Sequence, residues 1–373
     1  MSPRNIPVLI STLVVLCGLT SIGAFAATRP PAIVATRSKI LEYLGTLKSG
    51  HQSIAGTQIN EYEAFLECSS VDRLANNVGE EPALVGLELM FAKEYAGYED
   101  LLVRHAVAQT RRGGLVTLTW HARNPLKVCA RGENYECARA PMTDAEFDRM
   151  VTPGTPEHAL WEGDVAAAAR TLKRLQDAGV VVLFRPYHEM NGGWFWWGKK
   201  KSFPKLWDAL YEELESKHGL RNLIWVWAGD RSTPDAATYW PEKHPPAIAG
   251  SDVYEKNPDS PEFHGGLKSI RALDANVLFA FTEIGHLPSD AVIEATQPVW
   301  VLVWGGGFID ARLSIQQPCE QCNTPQDLRA FFHKPRMVSL EELPPELRTA
   351  IARGRPAESA HRPECPATLL PGG

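Results

Sequence analysis

Eight short apolar runs recur along the chain, each closing on a polar loop, and longer stretches of helical spacing lie between them. They are 54–58 (IAGTQ), 83–89 (ALVGLEL), 114–121 (GLVTLTWH), 180–189 (VVVLFRPYHE), 222–228 (NLIWVWA), 247–254 (AIAGSDVY), 277–285 (VLFAFTEIG) and 299–306 (VWVLVWGG). Each has the length of a strand, is rich in Val, Leu and aromatic residues, and is bounded by Gly, Pro or Asn. Several stay apolar until their last residues, the pattern of parallel strands covered on both faces. The helical stretches carry their own start and stop marks. Residues 165–179 open on Val165 and Ala166 to Ala169, repeat at Ala168, Leu172 and Leu175, and stop at Gly179. Residues 203–219 begin with Pro204, place Leu206, Leu210 and Leu214 every fourth residue and end at Gly219, while 98–113 closes on Arg111, Arg112 and Gly113. Eight strands alternating with helices over about 250 residues predict an α/β fold, a (β/α)8 TIM barrel, as one domain over residues 27–340. A doubly wound open sheet is the alternative; it would carry a glycine-rich phosphate turn after its first strand, and none stands here. Past Phe308 the pattern fades, and residues 341–373 are expected to hold a short helical piece and then a loosely ordered, Pro/Arg-rich tail.

The N-terminus changes the compartment. Arg4 precedes an apolar stretch from Ile6 to Leu19, and Ala24-Phe25-Ala26 offers small residues at cleavage spacing. Residues 1–26 are therefore expected to be a signal peptide, and the mature protein to be exported, secreted or periplasmic. The apolar stretch is too short and too early for a membrane span, so none is expected after its removal. Of seven cysteines, Cys17 falls in that leader, and the rest are expected to pair. Cys129 and Cys137 close a short loop and are the easiest pair. Cys319-x-x-Cys322 lacks a second pair at zinc spacing, which favours a local disulfide. A net charge of −6 without a basic stripe speaks against nucleic acid as a partner.

Candidate chemistry sits at the strand ends, which in such a barrel line one mouth and build the active site. They deliver Gln58, Trp120 and His121, Arg185, His188 and Glu189, Asp252 with Tyr254, Glu283, and Trp304. Two carboxylates stand out: Glu189 ends the fourth run and Glu283 the seventh, positions expected across the mouth from one another. Glycoside hydrolysis needs such a pair, one to protonate the leaving oxygen and one to attack the anomeric carbon. A lone strand-end Glu is often only a surface ion-pair partner. Glu189 is accompanied by Arg185, His188, Asn191 and Trp194; Glu283 is less decorated. His188 before Glu189 suggests half of a metal helix, but Gly192 stands where the second histidine belongs. His121 has a bland alternative as a satisfied core histidine. The four aromatics Trp194, Phe195, Trp196 and Trp197 fit sugar rings, whose C–H faces stack on flat side chains; two of them are assigned to barrel packing. An apolar wall beside Glu189 would also raise its pKa.

These motifs resemble glycoside hydrolase family 26, a barrel family of retaining glycosidases dominated by endo-β-1,4-mannanases. The similarity runs from about Ile54 to Phe332, and RPYHEMNGGWFWWG (185–198) is its most specific part. The resemblance implies Glu189 as acid/base, preceded by the family's histidine at His188, and Glu283 as nucleophile. TWHARNP matches the third-strand motif at Trp120, His121, Asn124 and Pro125. Tyr254 in SDVY falls on the tyrosine that bonds the nucleophile, Trp194 on the tryptophan near the cleaved sugar, and Trp304 on the eighth-strand platform. A β-mannan-type polysaccharide or oligosaccharide is the implied substrate, with no cofactor, no metal and a monomeric protein expected. A β-1,3-xylanase, a mixed-linkage β-glucanase and an inactive polysaccharide-binding barrel are the alternatives. One departure is visible: Gly305-Gly306-Gly307 follows Trp304 where the family often has Arg-Asn, which leaves the carboxylates intact but bears on sugar recognition. The loop from Leu126 to Asp148, with Cys129 and Cys137, is expected on the substrate side.

Overall fold

The structure, a computed structural model, describes residues 30–89, 96–129, 134–314, 319, 322–358 and 364–365. The expected signal peptide, residues 1–26, lies outside the described residues. The eight apolar runs form the eight strands of a closed parallel barrel: β1 (Ser53–Gln58), β2 (Leu84–Glu88), β3 (Leu115–Trp120), β4 (Val182–Pro186), β5 (Leu223–Asp230), β6 (Ile248–Val253), β7 (Leu278–Ile284) and β8 (Trp300–Val303). Each strand pairs with the next, and β1 pairs with both β2 and β8, which closes the ring. A two-residue strand, β9 (Met337–Val338), adds to β1 beside it.

Helices α1 (Pro30–Gly50), α2 (Ser70–Val78), α3 (Tyr98–Arg111), α4 (Asn134–Arg139), α5 (Asp144–Met150), α6 (Pro156–Asp177), α7 (Phe203–Tyr211), α8 (Ala236–Tyr239), α9 (Pro261–Arg271), α10 (Asp290–Thr296), α11 (Pro325–Phe332) and α12 (Pro345–Ala352) accompany the strands. Their ends follow local chemistry. The Thr155 hydroxyl accepts from the His158 N–H, Pro156 fits the first turn of α6, and Gly179 takes a left-handed φ of 85° just beyond its end. The expected helix over 203–219 is α7, prolonged by a π-helical turn from Glu212 to Lys217.

Alternation along the strands sorts side chains into two cores. Ile54, Leu84, Leu115, Leu183, Ile224 and Ile248 pack inside the barrel, together with Leu44 and Leu47 of α1 and Leu347 and Ile351 of α12, which plug one end. Their neighbours Ala55, Val85, Val116, Val182, Ala249 and Phe279 face outward, against residues such as Leu172 and Leu206 of the surrounding helices. The period of two therefore decides which strand-end residues can reach the open mouth.

Three disulfides are formed among the described residues: Cys129–Cys137, Cys319–Cys322 and Cys68–Cys365. The first two are the local pairs expected from spacing. The third ties the C-terminal segment to the β1–α2 loop across a sequence separation of 297. The short helical piece expected near the C-terminus is α12, whose Leu347 and Ile351 are buried.

Candidate active site

Inward positions at the open end carry polar residues where the same parity carries aliphatics below. Following Leu183 on β4, Arg185 points into the barrel and is buried. Its Nη1 donates to Asp252 Oδ2 at 2.6 Å, and its Nη2 to Thr119 Oγ1 at 3.0 Å and to Glu283 Oε2. Burial alone would lower its pKa, but Asp252 and Glu283 together raise it, so the guanidinium stays charged.

Beyond Pro186 the chain leaves strand geometry. Tyr187 and Glu189 both adopt left-handed conformations, with φ of 49° and 54°, on either side of His188. Such conformations cost of order 1–3 kcal/mol each for non-glycine residues and persist where the surroundings impose them. The constraint is visible: the Tyr187 hydroxyl is held by Trp161 Nε1 at 3.0 Å in the helix layer, and the Glu189 N–H donates to the Ala228 carbonyl of β5 at 2.8 Å. His188 and Glu189 are thereby presented together to the cleft.

Glu283 arrives by a different device. Ser251 of β6 pairs with Phe281 of β7, yet Asp252 pairs with Glu283, so one residue of β7 is extra at this point. The irregularity lets adjacent residues serve the same face: Thr282 Oγ1 donates to Asp252 Oδ1 at 2.6 Å, while Glu283 Oε1 accepts from the Tyr254 hydroxyl and Oε2 from Arg185. Both oxygens of Glu283 thus have donors.

Glu189 has one side-chain donor, Trp194 Nε1, at 2.6 Å from Oε2. Burial first, then the nearby Asp252 and Glu283, raise its pKa well above the usual carboxylate range, and the Trp194 bond offsets only part of this. His188 is pushed well below its ordinary value by burial, Arg185 and His121, and is a neutral imidazole. His188, Asp252 and Glu283 come close enough to suggest a metal site, with one candidate ligand atom from each within 4.8 Å of the others. The Arg185 guanidinium already bridges the two carboxylates, and its charge stands where a cation would have to be.

The cleft above these groups holds about 380 Å³ and is lined by His121, His188, Glu189, Tyr254, Glu283 and Trp304 among the residues singled out from sequence. Trp194 stands at its edge, 37% exposed, against Glu189. Trp120 does not join them. On β3, Leu115 faces the barrel interior, so Trp120 has the opposite parity and is buried between Phe184 and Tyr187 in the helix-facing layer. Its neighbour His121 takes the cleft position instead. Of the aromatic run, Phe195 lines the cleft, whereas Trp196 and Trp197 are buried and donate to the carbonyls of Ala122 and His188.

Sequence reasoning passed over Glu88, Asn60, Glu61, Tyr62 and Tyr135, which also line the cleft. Glu88 was legible: it follows Leu84 and Gly86 at inward spacing. Its carboxylate accepts from the His121 backbone N–H at 3.0 Å and Nδ1 at 2.6 Å, which leaves the proton on Nδ1 because a carboxylate only accepts. The others sit in loops, where no periodicity points to them. Tyr135 lies in the Cys129–Cys137 loop, so that segment does reach the cleft.

Comparison with known proteins agrees with this geometry. A model of glycosyl hydrolase family 26 matches residues 29–335. A mannan endo-1,4-β-mannosidase of Thermothelomyces thermophilus is 29% identical over 325 residues, covering 84% of this chain. The chain spans 62% of that relative's own length. Among solved structures, GH26A of Muricauda sp. MAR_2010_75 superposes with a TM-score of 0.72 at 28% identity, covering 83% of this chain and 97% of the other. The Podospora anserina GH26-CBM35 β-(1,4)-mannanase gives 0.69 at 30% identity, over 86% and 69% of the two chains.

Proposed function

Because the chain belongs to glycosyl hydrolase family 26, we propose that it is a retaining endo-β-1,4-mannanase that cuts mannan, glucomannan or galactomannan by double displacement. Glu189 is the acid/base and Glu283 the nucleophile. The observation that carries this is the asymmetry of the two carboxyl groups: Glu283 is held at both oxygens by Tyr254 and Arg185, while Glu189, with its raised pKa, keeps a single side-chain donor.

In the first step Glu189 gives its proton to the glycosidic oxygen as Glu283 Oε attacks the anomeric carbon, forming a glycosyl ester and releasing the leaving chain. Glu189, now a carboxylate, takes a proton from water as that water attacks the ester, which restores both groups. Arg185 and Tyr254 aim the Glu283 carboxylate and share its negative charge. Neutral His188 packs edge-on against His121, with ring centroids 4.4 Å apart, and so keeps the floor of the cleft rigid without competing for the proton. Trp304 and Trp194 offer flat faces to the sugars on either side of the cleaved bond.

Mannan as substrate is supported by the relatives, whose names state that activity, and by their identities of 29% and 30% to this chain. Export through the N-terminal segment belongs to the same proposal, and no helix among the described residues is long and apolar enough to cross a membrane. A reducing-sugar assay over mannan, glucomannan, β-1,3-xylan and lichenan tests the substrate. Mannan should be cleaved fastest; faster cleavage of xylan or lichenan would replace the mannanase reading, and no cleavage of any would favour a binding protein. Proton NMR of early hydrolysis should show the β configuration retained, and initial α product would exclude the double displacement.

A further inference from the structure

The cleft wall next to Trp304 is unlike the rest of the mouth, because one strand end there carries no side chain at all. Gly305, Gly306 and Gly307 follow β8, and the β1–α2 loop packs directly on the first two. A Cβ on Gly305 would stand 2.5 Å from the Gln58 carbonyl oxygen and 3.0 Å from Glu63 Oε1. Gly306 has a φ of 67°, and a Cβ there would stand 2.8 Å from the Tyr62 hydroxyl and 3.2 Å from Asn60 Nδ2. The Gly306 N–H donates to Ser70 Oγ at 2.8 Å, and the Ser70 N–H donates to buried Glu63, which locks the loop onto the glycines. The space that a side chain at Gly306 would fill is occupied by Asn60 and Tyr62.

Two further observations say what this wall does. Asn60 lines the cleft and is only 7% exposed, yet its Oδ1 has no hydrogen-bond partner. A buried amide oxygen left unpaired is unfavourable, and a hydroxyl donor in the cleft would satisfy it. Tyr62, two residues on, also lines the cleft and leaves 45% of its surface exposed, in an aromatic side chain otherwise held by its neighbours. An orphaned acceptor beside an exposed aromatic face is the chemistry of a pyranose site, with one donor hydroxyl and one apolar ring face to satisfy.

We propose that Asn60 and Tyr62 form a sugar subsite of their own, replacing the missing side chains after β8, and that it holds the unit preceding the cleaved sugar on the side kept by the enzyme. The side follows from the barrel order. β8 adjoins β7, which carries Glu283, and β1 follows β8 in the ring, while β8 lies opposite β4, whose end carries the acid that serves the leaving group. Asn60 Oδ1 accepts from a hydroxyl of that unit, and the Tyr62 ring covers its C–H face. The inference rests on the glycosidase reading but not on mannan as the substrate, since any β-linked pyranose chain that enters the cleft would meet the same pair.

The test is binding and turnover as a function of chain length. Calorimetric titration of the Glu189→Ala protein with manno-, cello- and xylo-oligosaccharides of two to six units identifies the sugar series that binds, without requiring hydrolysis. Adding Asn60→Ala or Tyr62→Ala should weaken the longer members of that series by roughly tenfold each, the scale of one lost hydrogen bond or stacking contact. Tyr62→Phe, which keeps the ring but removes the hydroxyl bonded to Asn60, should weaken binding less than Tyr62→Ala. In the otherwise native enzyme, the same two alanine variants should raise KM on long oligosaccharides and lower kcat/KM for these more than for an aryl monoglycoside. Equal losses on long and short substrates would make Asn60 and Tyr62 merely structural, and no loss on either would place the preceding sugar elsewhere; either result overturns the subsite. Binding of none of the series would overturn it together with the glycosidase reading, whereas binding of a series other than mannan leaves it standing and revises only the substrate.

Discussion

Glu189 and Glu283 stand at the ends of strands three apart in the closed order, open on the same cleft, and are buried to a similar degree. Their surroundings nonetheless drive them apart. Glu283 sits between two donors, one of them a charged guanidinium, and both of its oxygens are held. Glu189 faces two other carboxylates and the Trp194 ring, and the combination favours its neutral form. The same side chain at two strand ends becomes a carboxyl group fixed at both oxygens and one whose pKa is raised. The difference comes from neighbours on other strands, Arg185, Asp252 and Tyr254, rather than from the glutamates themselves.

The comparison breaks most completely at Glu283. Glu283→Ala should abolish hydrolysis of polysaccharide and aryl glycoside alike, by roughly 10⁴-fold or more, as deletion of a covalent nucleophile does. Loss confined to one substrate class would assign it another role. Glu189→Ala should cost polysaccharide hydrolysis about 10²- to 10⁴-fold, the range of general acid catalysis. Its first step on aryl glycosides with good leaving groups should be largely spared, because such groups need no proton. Equal losses in kcat/KM on both would count against the assignment.

Arg185→Met asks what holds the two carboxylates together. It would leave Asp252 and Glu283 buried without their shared cation, and unfolding in urea should show a loss of about 3–5 kcal/mol. A variant as stable as the parent would mean that one of the two carboxyl groups is protonated in the native enzyme. Tyr254→Phe is milder. It removes one bond to the Glu283 carboxylate and should lower kcat about ten- to a hundredfold, equivalent to about 1.4–2.8 kcal/mol, with the thermal midpoint little changed. Unchanged kinetics would place Tyr254 among the packing residues.

The smallest effect sharpens the contrast most. Trp194 donates to the ionised form of Glu189 and so opposes the rise in its pKa. On the proposed mechanism the acid works protonated, so kcat/KM should fall as pH rises through the raised Glu189 value, above the ordinary carboxylate range. Trp194→Phe keeps the apolar cover and removes the donor, so this basic limb should move to higher pH. A shift to lower pH would mean that solvent entry outweighs the lost bond.

The sequence by itself determined the barrel, because eight apolar runs of strand length between helical stretches admit few other closed arrangements, and all eight became strands. It also marked Glu189, His188, Glu283, Tyr254, His121 and Trp304 as strand-end residues, and these line one cleft. Where it misplaced a residue, alternation was the reason. Trp120 and His121 stand side by side in one motif, yet adjacent residues of a strand face opposite ways, and only His121 faces the cleft. Tertiary structure alone decided the rest. The left-handed turns at Tyr187 and Glu189 are held by Trp161 and Ala228, far away in sequence, and no local preference of Tyr or Glu foretells them. The irregular register of β7 against β6 lets Thr282 and Glu283 both serve the inner face, which a strict period of two forbids. Asn60 and Tyr62 meet the cleft because the β1–α2 loop closes over glycines more than two hundred residues away. Periodicity is a property of neighbours along the chain, whereas strain, register shifts and loop contacts are set by groups that only folding brings together.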